Sequence, residues 1–130
     1  MKKQLLFTFI FLMFVSVAAM AQDYASFKWD KTTHEFGNIA QNKPVSATFT
    51  FTNNSKVPMI ISNARGSCGC TGVKFPTEPI APGETGEISA TFNAAAVGAF
   101  HKTITVTANV IEGAAVLNIK GTVQSEGGGN

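Results

Sequence analysis

Beyond residue 25, apolar and polar side chains alternate along most of the sequence. In the segment PVSATFTFTN, serine and threonine alternate with four apolar residues: Val45, Ala47, Phe49 and Phe51. Successive side chains of a β-strand point to opposite faces, so this pattern predicts a half-buried strand. The same alternation recurs in EISATF, FHKTITVTANV and VLNIKGTV, and the segments SFKWD and VPMIIS supply two further candidates.

Turn-forming residues separate these segments at short intervals. Residues 53–56 (NNSK) and the Pro82-Gly83 dipeptide are typical of turns, and TTHEFG, which contains His34, is also interpreted as a turn. No window has a helical stripe, and NAAAVGAF is predicted to be a connecting loop because Gly98 interrupts it. About seven strands without helices predict an all-β, immunoglobulin-like antiparallel β-sandwich, with a small closed barrel as the alternative.

The N-terminus has the features of an export signal. Lys2 and Lys3 precede an uncharged apolar run of 13 residues from Leu5 to Val17, and Ala19-Met20-Ala21 has the small-x-small pattern of a cleavage site. The apolar run is shorter than the roughly 20 residues that a membrane-spanning helix needs. We therefore expect a periplasmic or secreted protein that keeps no stable membrane anchor after cleavage.

The predicted organisation is a signal peptide over residues 1–21, a sandwich domain over 22–123 and a flexible tail over 124–130. Removal of 21 of the 130 residues leaves 109, enough for one domain. The mature chain has eight basic and eight acidic side chains, because Lys2 and Lys3 leave with the signal. A net charge of zero argues against nucleic acid as a partner. The expected partner is a protein or another component of the cell envelope.

The segment GSCGCTG contains the chain's two cysteines, Cys68 and Cys70. In an extended segment their Cα atoms would lie about 6.5–7 Å apart, at the upper limit for a disulfide. We expect the flexible backbone of Gly69 to bend the segment and permit a strained, easily reduced bond. The compartments that exported proteins reach favour oxidation of the two thiols to a disulfide. A disulfide that closes so small a loop would stabilise the fold only slightly. A redox-active dithiol, a plain disulfide, and two buried structural thiols all remain possible on these grounds.

Metal binding is the other alternative for this pair. Two thiolates suit Cu(I), or half of a tetrahedral zinc site. Further ligands are scarce: His34 and His101 are interpreted as surface residues, and Met59 as a core residue. A four-ligand zinc site is therefore not predicted, and copper held by Cys68 and Cys70 stays an alternative without an assigned third ligand.

No catalytic set is predicted. Ser67 in GSCG lacks the strand–turn–helix context of a hydrolase nucleophile. A thiol–imidazole couple of Cys68 with His101 is a further alternative, which we do not favour. The acidic residues are distributed over different turns, and no glycine-rich phosphate loop is present. We expect a protein that is not an enzyme, with thiol–disulfide exchange through Cys68 and Cys70 as the one exception.

The order of several motifs resembles the bacterial domain-of-unknown-function family fifteen seventy-three. The matching elements lie between Phe27 and Val123: Phe36-Gly37, the Phe49/Phe51 strand, Asn53, Cys68-Gly69-Cys70-Thr71, Pro82-Gly83, Phe92, Gly98 and Asn109. The resemblance implies an exported immunoglobulin-like sandwich, similar to chaperone-type and cilia-associated sandwich domains, and places the paired cysteines in the family's signature. It implies no activity.

The sequence thus supports two hypotheses. The first is an exported binding or structural module of the bacterial cell envelope. The alternative is a thiol-redox or copper-handling protein that uses Cys68 and Cys70.

Overall fold

The computed structural model describes residues 23–125, and the regular structure in this range consists of β-strands. The eight strands, in chain order, are β1 (Phe27–Trp29), β2 (Thr33–Ala40), β3 (Val45–Asn53), β4 (Ile61–Gly66), β5 (Thr71–Lys74), β6 (Thr85–Phe92), β7 (Gly98–Ala108) and β8 (Ala114–Gln124). The predicted signal peptide and residues 126–130 of the predicted tail lie outside the described residues. Gln124, which the sequence assigned to the tail, is the last residue of β8.

The strands form two four-stranded sheets that pack face to face. The first sheet has the order β1-β3-β6-β5 and the second the order β2-β8-β7-β4. The predicted β-sandwich is therefore confirmed, with eight strands instead of about seven. One detail of the antiparallel prediction is wrong, because β2 pairs with β8 in parallel while the other strand pairs are antiparallel.

The alternating segments bury the side chains that the sequence assigned to the inward face. On β3, Phe49 and Phe51 have no exposed surface, and Ala47 is 2% exposed. The inward residues of β6, β7 and β8 complete the core, since Ile88, Ile104, Val106, Leu117 and Ile119 are also fully buried. Each such side chain contributes about 1.5–3 kcal/mol of transfer free energy on burial, so this face stabilises the sandwich.

Two local predictions are wrong, and one strand was missed. TTHEFG is not a turn: it starts β2, and His34 lies on that strand. The strand predicted in VPMIIS starts only at Ile61, because Met59 instead makes an isolated bridge with Ile80. The four-residue strand β5 was not predicted at all. The predicted loop in NAAAVGAF is confirmed up to Val97, after which β7 begins.

A buried amide organises the turn after β3. Asn53 has no exposed surface, and its Nδ2 donates to the carbonyl oxygens of Val57 at 2.8 Å and Ile80 at 2.9 Å. Its Oδ1 accepts a hydrogen bond of 2.6 Å from the Ser55 hydroxyl. A buried polar side chain is stable only when such partners satisfy it. Asn53 therefore ties the end of β3 to two neighbouring loop segments.

Gly86 on β6 provides a test of the packing around Phe51. A Cβ atom at Gly86 would lie 2.5 Å from Cζ of Phe51, whose ring is fully buried. We expect Gly86→Ala to lower the free energy of unfolding by about 1–3 kcal/mol, because an overpacked core must shift. Urea denaturation followed by the fluorescence of Trp29 measures this change.

Gly72→Ala on β5 is the matched control, since a Cβ there meets no atom within 4 Å. We expect it to leave stability unchanged or to raise it slightly, because alanine restricts the unfolded chain. Equal effects of the two substitutions would contradict the packing that the structure gives Phe51.

Candidate functional site

The two cysteines lie in a turn that crosses from one sheet to the other. β4 is the edge strand of the second sheet, and β5 is the edge strand of the first. Residues 67–70 connect them, and we call the tetrapeptide Cys68–Thr71 the cysteine turn. The pair therefore sits where two sheet edges meet.

Backbone hydrogen bonds hold this connection on both sides. The N–H of Ser67 donates to the carbonyl oxygen of Thr103 at 2.8 Å, and the N–H of Thr103 donates to the Ser67 hydroxyl at 3.2 Å. On the other side, the N–H of Asn93 donates to the carbonyl oxygen of Cys70 at 3.0 Å. The second sheet thus anchors the start of the connection, and the loop after β6 anchors its end.

The cysteine turn brings the two thiols into disulfide contact. The N–H of Thr71 donates to the carbonyl oxygen of Cys68 at 3.3 Å, the i to i+3 hydrogen bond of a β-turn. The Cα atoms of Cys68 and Cys70 are 5.2 Å apart, and their sulfur atoms are bonded. This separation falls within the usual range for a disulfide, so the extended geometry considered above does not apply.

The bend does not come from unusual backbone angles at Gly69, as the sequence had suggested. Gly69 is absent from the residues with positive φ, so its backbone stays in the ordinary region. Gly66 is the glycine that this site requires, because a Cβ there would lie 2.8 Å from Cβ of Thr71. The absence of a side chain at the end of β4 lets the start of β5 approach it closely.

Thr71 places one hydroxyl beside both sulfur atoms. Its side chain is 7% exposed, and its Oγ1 lies 4.0 Å from Sγ of Cys68 and 3.9 Å from Sγ of Cys70. Disulfide sulfurs carry no proton, so the hydroxyl is the donor in these long contacts. No role for Thr71 was predicted from the sequence, although this residue stands in the CGCT motif.

A groove opens on one side of the cysteine turn and a pocket on the other. The groove has a volume of about 410 Å³, and its lining includes Cys68, Arg65 and Ser67. The pocket has a volume of about 200 Å³, and Cys70, Phe92, Val97, Phe100 and Lys102 contribute to its lining. We call these two spaces the Cys68 groove and the Cys70 pocket.

The Cys70 pocket rests on a contact between the two sheets. Phe92 of β6 and Phe100 of β7 stack with ring centroids 4.2 Å apart and an interplanar angle of 27°. Cys70 packs against the core formed by such residues, whereas Cys68 is not among the side chains packed there. Of the two cysteines, which are both half-buried, Cys70 therefore packs beside the core and Cys68 lines the groove.

The other candidate ligands have different partners. Nδ1 of His34 accepts a hydrogen bond of 2.7 Å from Nζ of Lys31, and desolvation lowers the pKa of His34, with Lys31 adding to this effect and Glu35 opposing it. Nε2 of His101 donates to Oδ1 of Asn118 at 2.8 Å.

His101 is exposed and Met59 is fully buried, as the sequence predicted. Within residues 23–125, histidine, cysteine, aspartate and glutamate form no group of three or more that could hold a metal ion. A copper site made by Cys68 and Cys70 alone stays a hypothesis.

A larger cleft of about 530 Å³ lies elsewhere, between β1 and the turn from β7 to β8. Phe27 and Trp29 stack in its wall with centroids 4.7 Å apart, and Ile111 is 73% exposed at its rim. Sequence reasoning missed this cleft, because the residues that form it come from distant segments. The residues that line this cleft include no cysteine.

A match that spans almost the whole sandwich identifies the family. Residues 27–123 match the family described as "Protein of unknown function (DUF1573)". The protein belongs to this family. The resemblance noted in the sequence is thereby confirmed over the range predicted for it. A comparison with curated proteins gave no match.

Solved structures share the fold at low sequence identity. A protein of unknown function from Porphyromonas gingivalis W83 superposes with a TM-score of 0.67 and 12% identity, over 81% of this chain and 50% of that one. The chain thus spans half the length of that structure. PapD-like domain 7 of human CEP192 gives a TM-score of 0.62 and 8% identity, over 78% of this chain and 87% of that one. These likenesses confirm the immunoglobulin-like sandwich.

Part of a protease also shares this fold. VesB of Vibrio cholerae gives a TM-score of 0.59 and 14% identity, over 75% of this chain and 31% of the protease chain. At such identity the likeness shows the fold and nothing about activity.

In residues 23–125 no helix is long and apolar enough to cross a membrane.

The size of the cysteine turn predicts how much its disulfide stabilises the fold. A bond that closes so short a loop removes little freedom from the unfolded chain, about 1–2 kcal/mol on the chain-entropy relation. We expect the double variant Cys68→Ser, Cys70→Ser to fold and to lose no more than this in urea denaturation. Wild-type protein with its disulfide reduced is the control, and it should lose a similar amount. An unfolded double variant would show that the bond holds the sandwich together.

Proposed function

We propose that this protein is an exported, non-enzymatic β-sandwich that serves as a binding or structural module in the periplasm or outside the cell. The signal pattern in residues 1–21 and membership of the family support this proposal. The observation that carries it is the Cys68 groove, which lies beside the junction of two edge strands.

Edge strands give such a junction a means of binding. β4 and β5 each end a sheet, so one side of each strand has no neighbour in its sheet. Backbone groups on such a side pair readily with an extended segment of another chain. The Cys68 groove lies along residues 64–66 of β4, and the anchored cysteine turn fixes its shape.

The charge of the molecule bears on the class of partner. The mature chain carries equal numbers of acidic and basic side chains, so it has no surplus of positive charge for a phosphate backbone. Arg65 is the charged residue of the Cys68 groove. The proposed partner is therefore a protein or another component of the envelope, not a nucleic acid, and the proposed product has no membrane anchor.

Site-specific photo-crosslinking tests this function in cells that express the full chain. A photoreactive amino acid replaces Arg65, an exposed residue of β4 that lines the Cys68 groove. We expect discrete crosslinked adducts in the envelope fraction, because this position borders the cysteine turn. N-terminal sequencing of the same protein should begin at Gln22.

Val116 is the matched control, since it is 52% exposed on β8 and lines neither space beside the cysteine turn. We expect no adducts from that position. Adducts from Val116 but not from position 65 would place the binding surface elsewhere, and an uncleaved cytosolic product would overturn the proposal of export.

A second candidate function is thiol–disulfide exchange, and the bonded cysteine pair favours it. The bond closes a very small loop in an anchored turn, so its cleavage costs the fold little. The Thr71 hydroxyl, 3.9–4.0 Å from the two sulfurs, is placed to donate to a thiolate formed at either one. Copper handling is a related hypothesis. It requires the disulfide to be reduced, because thiolates are the ligands that bind Cu(I).

Alkylation in glutathione buffers tests the exchange. We expect the native protein to gain two alkyl groups as the share of reduced glutathione rises, and to lose them as the oxidised share rises. The double serine variant gains none and is the control. A pair that becomes alkylated only after addition of urea would contradict exchange. Metal analysis of the reduced protein after incubation with Cu(I) decides the copper variant.

A further inference from the structure

The two sulfur atoms of the disulfide have unequal surroundings. Cys68 lines the Cys68 groove, together with Arg65 and Ser67. Cys70 packs against the hydrophobic core and lines the smaller pocket over the Phe92–Phe100 stack. In thiol–disulfide exchange, the access that an incoming thiolate has to each sulfur is one of the factors that set where it attacks. The groove beside Cys68 has a volume of about 410 Å³, and the pocket beside Cys70 has a volume of about 200 Å³. An incoming thiol therefore has more space to approach Cys68 than Cys70.

We propose that Cys68 is the sulfur attacked by a partner thiol, that Cys70 is the leaving group, and that the partner is a polypeptide with two cysteine thiols. This inference rests on the proposed thiol–disulfide exchange and assigns its partner and direction. A polypeptide fits because the groove runs beside the edge strand β4, with which an extended segment can pair.

The reaction is a disulfide transfer in two steps. In the first, a partner thiolate forms a bond to Sγ of Cys68, the Cys68–Cys70 bond breaks, and its electron pair stays on Cys70 as a thiolate. In the second, the other partner thiolate attacks the partner's own sulfur in the mixed disulfide and releases Cys68 as a thiolate. The partner dithiol is thereby oxidised to a disulfide, the cysteine pair is reduced, and protons from water complete the thiols.

The surroundings of Cys70 suit a departing thiolate. Lys102 is half-buried, and it is the charged residue among those described around the Cys70 pocket. A nearby cation stabilises a thiolate, and a better leaving thiolate departs faster. Oγ1 of Thr71 lies 3.9 Å from Sγ of Cys70 and can donate to it. On the other side, the charge of Arg65 favours the approach of an anionic thiolate to Cys68.

Trapping the mixed disulfide tests the assignment. Oxidised wild-type protein is mixed with a synthetic peptide that contains one cysteine, and the reaction is quenched with an alkylating agent. Fragmentation mass spectrometry then locates the peptide and the alkyl group. We expect the peptide on Cys68 and the alkyl group on Cys70, in roughly tenfold or greater excess over the reverse arrangement.

Repeating the reaction in urea provides the control, because unfolding exposes both sulfurs. The excess should then largely vanish. In the native protein, equal labelling or a preference for Cys70 would overturn the assignment while leaving exchange itself intact. If neither the peptide nor dithiothreitol opens the native disulfide, the exchange function fails as a whole.

Variants of Lys102 test the role of the pocket. We expect Lys102→Met to slow the opening of the disulfide several-fold and Lys102→Arg to retain most of the rate, with the peptide on Cys68 in both. The thermal stability of each variant shows whether the fold is kept. Equal rates for the two variants would remove Lys102 from the proposed mechanism, and peptide on Cys70 in either would again overturn the assignment.

Discussion

Phe49 and Ile88 from one sheet and Ile104 and Leu117 from the other belong to one hydrophobic core, and all four have no exposed surface. This apolar contact is the main source of stability in a domain of this size. It also fixes the distance between the sheets, and therefore the place where their edge strands come together. The cysteine turn is the short connection that this closure requires between β4 and β5.

The spacing of the cysteines follows from that turn. Cys68 and Cys70 are the first and third residues of a β-turn, and the chain reversal brings their Cα atoms to 5.2 Å. The hydrogen bonds of the turn and its anchors are all made by backbone groups or by Ser67. The disulfide is therefore added to a connection that the backbone already holds, and we expect it to contribute little to the stability of the fold.

Sequence reasoning succeeded where the relevant signal is local. Alternation along β3, β6, β7 and β8 directly reports which side chains face the core, so those elements were predicted. β2 was missed because its alternation is broken by an irregularity between Glu35 and Asn38, where Gly37 has a φ of 68°. The parallel pairing of β2 with β8 joins segments far apart in the chain, and periodicity within one segment carries no information about such a partner.

The same limit applies to the site. The CGC spacing was enough to single out Cys68 and Cys70, but not to give their bonding state. Gly66 and Thr71 matter because β4 and β5 approach closely, with a Cβ at Gly66 lying 2.8 Å from Thr71. The buried role of Asn53 likewise depends on the Ile80 carbonyl, 27 residues away. From the sequence alone, the segments around Asn53 and around Cys68 are both interpreted as ordinary turns.

The cysteine turn is held by hydrogen bonds that do not depend on the disulfide, so it could keep its shape in both the oxidised and the reduced state. Cleavage of the Cys68–Cys70 bond leaves the hydrogen bond from Thr71 to Cys68 and that from Asn93 to Cys70 available, because neither involves a sulfur atom. The sheets keep their buried faces in both states. A redox change at this turn would therefore alter the reactivity of one surface without unfolding the domain, which a protein that repeatedly transfers a disulfide requires.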